Sequence, residues 1–265
     1  MRPRGGIIGA TVQPAATAIN SAASGVWTLR EAEAMRRAGT WPRMPASALL
    51  AVTFDNSFDD QAQNIAATQT SSGVSRSTAQ VKGGSNSLFV NGASSDNFST
   101  TARLLYGSGS QWDIAGSDFT IECWFYCLSS GLIAQGLITR DAQPSSRHFQ
   151  LVLSATNNLR FRVFNTSATG WIDITDPSAA SLNSWIHVAA VRDGSVFRLY
   201  RDGVQVGSQD VSTASGTRAT ASGSLCVGSV FDNGNFSLSG YIDEVLVSSA
   251  CLYRNGTTFT PRTQL

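Results

Sequence analysis

Lysine is almost missing from this chain: Lys82 stands alone among 19 basic residues, and the rest are arginines. Glutamate occurs only as Glu31, Glu33, Glu122 and Glu244, and histidine only as His148 and His187. Charged residues make up 14% of the 265, and the net charge is +1. There is thus no global field to gather nucleic acid or an anionic membrane. Hydrophobic content, 42%, is ordinary, so the polar surface falls to Ser, Thr, Asn, Gln and Gly. No run approaches the roughly 18 apolar residues of a membrane span. Arg2 and Arg4 are followed by no apolar core of secretory-signal length. The expectation is a protein with neither nucleic acid nor membrane insertion among its partners.

The shortage extends to chemistry. No G-x-S-x-G nucleophile turn occurs, and the glycines are scattered turn residues rather than a phosphate loop. The cysteines are Cys123, Cys127, Cys226 and Cys251, without a C-x-x-C, which argues against zinc. Cys123 and Cys127 are four apart on one strand, about 13 Å at about 3.3 Å per residue, too far to bond. Four buried thiols, or a cross-strand pair such as Cys226–Cys251, both fit the spacing.

What the chain does have is alternation. In residues 185–206, three short apolar-rich runs are divided by Asp193-Gly194 and Asp202-Gly203. Asp-Gly is a strong hairpin signal, because both residues tolerate positive φ. Ile186, Val188 and Ala190 share one face, and Phe197 and Leu199 share one face of the next run. Period-2 alternation places those faces in a core. Further strands are expected at 49–54, 87–92, 119–128, 133–140, 148–154, 159–164, 171–175, 225–229 and 241–248. The Ser/Thr/Gln-rich residues 67–85 are expected as exposed strand or loop.

The segment Trp185-Ile186-His187-Val188-Ala189-Ala190-Val191-Arg192-Asp193-Gly194 resembles the central hairpin of the laminin G-like, concanavalin A-like jelly-roll family. So do Phe119-Thr120-Ile121-Glu122-Cys123-Trp124-Phe125, Gly240-Tyr241-Ile242-Asp243-Glu244-Val245 and the tail Tyr253-Arg254-Asn255-Gly256-Thr257-Thr258-Phe259-Thr260-Pro261 match other strands and the ending of that family. The resemblance runs over residues 47–262 and implies an all-β antiparallel sandwich over 47–265. Fold alone does not give function. Hydrolases of this fold carry E-x-D-x-[x]-E on one strand; Glu122 has no acid near it, so no catalytic residue is named. His187 reads as a structural partner on its strand. The resemblance implies one cofactor, calcium, at Asp60 and Asp243, although Gln63 replaces the glycine of the family's D-S-S-G-N turn. The same fold suits a glycan, but Tyr106, Trp112, Trp171 and Phe231, all in or near loops, read as core or edge aromatics.

Residues 1–46 lie outside the sandwich pattern. Thr28 and Glu31 have capping-box spacing, acids precede arginines, and Gly39 and Pro42 follow, which predicts a short helix over 29–38. Six arginines against two glutamates give this arm +4 and leave −3 for the rest. Gly5-Gly6-Ile7-Ile8-Gly9, Ser24-Gly25-Val26-Trp27-Thr28-Leu29-Arg30-Glu31 and Gly39-Thr40-Trp41-Pro42 resemble the start of tailed-phage virion proteins. That resemblance implies a non-enzymatic virion component, of capsid or tail, present in several copies. Its arm would dock on other virion proteins through Trp27, Leu29, Met35, Arg36, Arg37 and Trp41, and its sandwich would face a host-surface glycan. A free, calcium-assisted carbohydrate-binding module is the alternative.

Overall fold

The computed structural model describes residues 6–8, 26–28, 44–69, 73–92, 102–130, 133–142, 146–166, 170–212, 219, 222–254 and 258–265. In chain order the strands are β1 (Gly6–Ile8), β2 (Val26–Thr28), β3 (Ala48–Val52), β4 (Thr68–Gln69), β5 (Val74–Ser77), β6 (Ser87–Asn91), β7 (Leu104–Leu105), β8 (Phe119–Cys127), β9 (Gln135–Ala142), β10 (Ser146–Leu153), β11 (Asn158–Phe164), β12 (Gly170–Ala179), β13 (Trp185–Asp193), β14 (Val196–Arg201), β15 (Val204–Asp210), β16 (Cys226–Val227) and β17 (Ser239–Ser248). Helix among the described residues is confined to two three-residue 3-10 turns, Ser110–Trp112 and Ile114–Gly116.

The strands form an all-β antiparallel sandwich. The eight-stranded sheet runs β15-β14-β13-β8-β17-β6-β5, with β3 also paired to β17, and the seven-stranded sheet runs β12-β11-β10-β9-β16-β7-β4. The two Asp-Gly sites do close hairpins. Arg201 pairs with Val204 across a two-residue turn, with φ of +48° at Asp202 and +79° at Gly203. Positive φ at both central positions is what a type I′ turn requires.

Alternation sets the two faces of each strand. Phe119, Ile121, Cys123, Phe125 and Cys127 of β8 point into the core beside Ile186, Val188 and Ala190 of β13. Leu137, Phe149, Leu151, Phe161 and Val163 come to meet them from the other sheet. Each fully buried Leu, Ile or Phe contributes about 1.5–3 kcal/mol. Trp112 is fully buried beside them, its indole donating to the Tyr106 carbonyl at 3.2 Å.

A bulge in β17 breaks its register with β8. Asp243 faces Trp124, yet Leu246 faces Glu122, so two residues of β17 oppose the single Cys123. Glu244, within it, has φ +52°. Before the bulge β17 pairs with β6, and after it with β3.

Several sequence expectations move. The strand expected over 49–54 ends at Val52, and Phe54 takes φ +62°. The strand expected over 171–175 extends across Gly170–Ala179. All four cysteines are free and buried. Cys226 lies in the seven-stranded sheet, while Cys251 packs with Ala189, Val191 and Tyr200 on the outer side of the eight-stranded one, so they do not pair. The helix expected over 29–38 lies outside the described residues. Val26–Thr28 is strand, antiparallel to Gly6–Ile8, with Trp27 opposite Ile7. The other proposed docking residues, Leu29, Met35, Arg36, Arg37 and Trp41, also lie outside the described residues.

Candidate functional site

The residues of β8 that do not enter the core, Thr120, Glu122, Trp124 and Tyr126, line the outer face of the eight-stranded sheet. Register extends that line sideways. Trp185 of β13 stands opposite Tyr126, Tyr126 opposite Tyr241 of β17, and Tyr241 opposite Phe89 of β6. Ring centroids are 5.7, 5.9 and 5.0 Å apart along this row. All four side chains are half-buried. Adjacent strands lie about 4.8 Å apart, so four consecutive strands give an aromatic strip about 15 Å long. Leu128, in phase with Tyr126, is 38% exposed, and Leu182, before β13, is 40% exposed. Solvent-facing aromatic and aliphatic groups thus gather at this end of the sheet, and Tyr126, Tyr241 and Phe89 have ladder partners on both sides.

One border of the strip is the next row toward the middle of the sheet. The Lys82 ammonium sits 3.8 Å from the Trp124 ring centroid, and the Trp124 indole donates to the Arg262 carbonyl. Here the C-terminal segment crosses the outer face. Phe259 stacks on Tyr253 at 3.5 Å, meets Tyr200 edge-on at 5.2 Å, and donates its amide to the Gly203 carbonyl at 3.0 Å. Beneath it, His187 Nε2 lies 3.6 Å from Glu122 Oε2, and Arg262 Nε lies 3.9 Å from Glu122 Oε1. Burial, reinforced by Glu122, pushes the Tyr253 phenol up. Glu122 and His187 are each 2% exposed. His187 is therefore the structural partner its position suggested.

The two candidate calcium ligands have different neighbours. Asp60 accepts amide hydrogens from Ala51 and Ala62 at 2.8 Å and Gln63 at 2.7 Å, pinning its own loop to β3. Asp243 accepts from Lys82 at 2.9 Å, Gly83 at 3.1 Å and Glu244 at 3.0 Å. Burial raises the Asp243 carboxyl to about 7, the amides oppose that shift, and the nearby Asp55 adds to it. Calcium needs six to eight oxygens, but what surrounds these carboxylates is N–H donors, which take the place of a cation. Among the described residues no three His, Cys, Asp or Glu side chains gather to hold a metal ion. The donor set does not fit calcium.

Sequence reasoning missed the aromatic strip. Of the loop aromatics it considered, Tyr106 and Trp112 are buried in the core, Trp171 is half-buried against it, and Phe231 is buried in a separate small cluster with Val152 and Val230. The signal lay in phase. Tyr126, Trp185, Tyr241 and Phe89 each alternate with core residues, so each had to lie on an outer face.

Two facing antiparallel sheets with almost no helix among the described residues define a lectin-like sandwich module. The chain belongs to the Laminin_G_3 family of the concanavalin A-like lectin/glucanases superfamily, whose model matches residues 106–255. Among solved structures it is similar to the binding domain of Paraclostridial Mosquitocidal Protein 1, with 16% identity and a TM-score of 0.58 over 78% of this chain and 50% of that one. The receptor binding domain of botulinum neurotoxin D gives 13% identity and a TM-score of 0.57 over 78% of this chain and 50% of that one. Trypanosoma rangeli sialidase in complex with 2,3-difluorosialic acid gives 14% and 0.57 over 79% and 32%. These likenesses are of fold, and the chain spans half the length of the two toxin domains and less of the sialidase. Curated protein sequences yield no match. No helix among the described residues is long and apolar enough to cross a membrane.

Proposed function

We propose that this chain is a non-catalytic, glycan-binding component of a tailed-phage virion, held in the particle in several copies by its N-terminal arm. The observation that carries the binding half is the strip Trp185–Tyr126–Tyr241–Phe89. Aromatic rings offer a face to the C–H side of a sugar, and the two tyrosines and the tryptophan add polar handles. The strip is built on strands, so little ordering is needed when a ligand lands. The tail lying over Glu122 supports a binding role rather than hydrolysis. The virion half rests on the resemblance of residues 5–42 to phage virion proteins and on the +4 arm with its two tryptophans.

A glycan array probed with the full chain and with Tyr126→Ala tests the first half. The expected result is a set of glycans bound by the wild type and lost or weakened in the variant; an empty array, or identical arrays, refutes it. Antibody labelling of purified virions by electron microscopy tests the second. Label on head or tail supports the particle assignment, and unlabelled particles overturn it in favour of a free lectin.

A further inference from the structure

The outer face of the seven-stranded sheet carries a second and chemically different cluster. Gln150, Arg162 and Asp173 stand opposite one another on β10, β11 and β12. Arg160, Arg162 and Phe164 of β11 alternate with the core residues Phe161 and Val163 and so share this outer face. Asp141 of β9 and its register partner Arg147 of β10 complete the group. Phe164 is fully buried here, outside the main core. The Arg147 guanidinium carbon lies 3.9 Å from its ring centroid and that of Arg162 4.8 Å. A buried ring thus holds two guanidinium groups in place.

The hydrogen bonds leave this cluster incomplete. Asp141 Oδ2 accepts from Arg147 Nε at 2.9 Å and Gln150 Nε2 at 2.6 Å, while its Oδ1, on a side chain with no exposure, accepts from nothing among the described residues. Arg160 takes Asp173 with two nitrogens. Arg162 is left with Nε 3.4 Å from Asp173 Oδ2 and without a hydrogen bond there. Burial, then the charge of Arg160, pushes the Arg162 guanidinium down; Arg147 adds to this, against the pull of Asp173 and Asp141. Asp232, whose charge reaches Asp141, accepts from the Ser224 amide at 3.3 Å. At the Arg162 end, Arg160 and Arg162 thus share Asp173, which Arg160 already occupies, while Arg147 is paired to Asp141.

Like charges crowded on a rigid face complement an anion, and the guanidinium fork matches a carboxylate with two parallel hydrogen bonds. We propose that this cluster binds a carboxylate-bearing sugar, with Arg162 and Arg147 taking the carboxylate and the half-exposed Asp173 beside them taking a hydroxyl. That the carboxylate belongs to a sugar rests on the glycan-binding reading; the anion site itself does not, and it lies on the sheet opposite the aromatic strip.

The test is titration of the full chain with glucuronate, methyl glucoside and inorganic sulfate, read by calorimetry and by the Arg162 Nε–Hε resonance. Glucuronate is expected to bind and to shift that resonance, with methyl glucoside silent and sulfate weaker. Arg162→Gln should weaken glucuronate about tenfold or more, as expected for lost hydrogen bonds to a charged group. Tyr126→Ala should leave this titration unchanged, so an empty glycan array would not decide it. Sulfate binding as tightly as glucuronate would overturn the sugar assignment. No glucuronate binding, or binding that Arg162→Gln leaves intact in a variant with wild-type circular dichroism, would overturn the site.

Discussion

Replacing Tyr126 by alanine removes the middle of the aromatic strip. Tyr126 is edge-on to Trp185 at 5.7 Å and to Tyr241 at 5.9 Å. Each such pair contributes about 0.5–1.5 kcal/mol beyond area burial. The change also costs up to about 1 kcal/mol of strand preference in a central strand. The ring is half-buried, so the roughly 3–5 kcal/mol typical of a fully buried Phe or Trp truncated to alanine is a ceiling. The expected loss is about 2–3 kcal/mol, within the total stability of an ordinary domain. Urea unfolding should show a lower midpoint with an unchanged m value. Phe89→Ala, at the end of the row with one ring neighbour at 5.0 Å, should lose about half as much. Binding separates the strip's two roles. Tyr126→Phe keeps the rings and most of the stability, and should keep most of the glycan affinity. Tyr126→Ala should lose about 2 kcal/mol of affinity, near thirtyfold, as central aromatic anchors do. A folded Tyr126→Ala protein with wild-type affinity for an array-selected glycan would refute the argument.

Three further outcomes are expected. Gly203→Ala puts a Cβ 1.8 Å from the Phe259 carbonyl at a φ of +79°; the tail over Glu122 should detach, read as new proteolytic cleavage within residues 250–265. Burial raises the carboxyls of Asp141 to about 6 and Asp243 to about 7, from an ordinary 3.8. The folded protein therefore holds these protons more tightly than the unfolded chain, and their contribution to stability falls as pH rises from about 4 to about 7; urea midpoints should give Asp141→Asn a shallower decline than wild type between pH 4 and 6, and an identical slope would contradict the assignment. Burial also pushes up all four thiols, Cys226 to about 12; a thiol reagent should label none in native protein and all four in denaturant, and a silent pair in denaturant would reveal a disulfide.

How far the fold was legible depended on how local its cause was. The β13–β14–β15 meander is written in adjacent residues, with alternation fixing the inner face and Asp-Gly fixing the turns. The two outer-face clusters are not local. The strip joins residues 89, 126, 185 and 241, and the arginine cluster joins residues 141, 147, 162 and 173; each exists only once strand order and register are set. Strand phase could have told that Tyr126 faces outward, but not that Tyr241 would be its neighbour. The bulge at Glu244 hides further, because it shifts register halfway along β17 with no local signal beyond a motif that reads as continuous strand. The neighbours of Asp243 were hidden for the same reason. Its partners, the amides of Lys82 and Gly83, come from a segment 160 residues away.

Several acids of this chain are taken up by the fold itself. Asp60 and Asp243 hold backbone amides, and Asp202 does the same for the His187 amide at 2.8 Å and Asp118 for Gly194 at 2.8 Å. Glu122 lies under the tail, and Glu244 accepts from the Leu265 amide. A general acid and base must reach a substrate oxygen and exchange protons with it; a carboxylate occupied by backbone donors or covered by the chain does neither. With charged residues so few, these acids serve as fasteners for loops and tail. What remains on the two outer faces is aromatic rings on one sheet and guanidinium groups on the other.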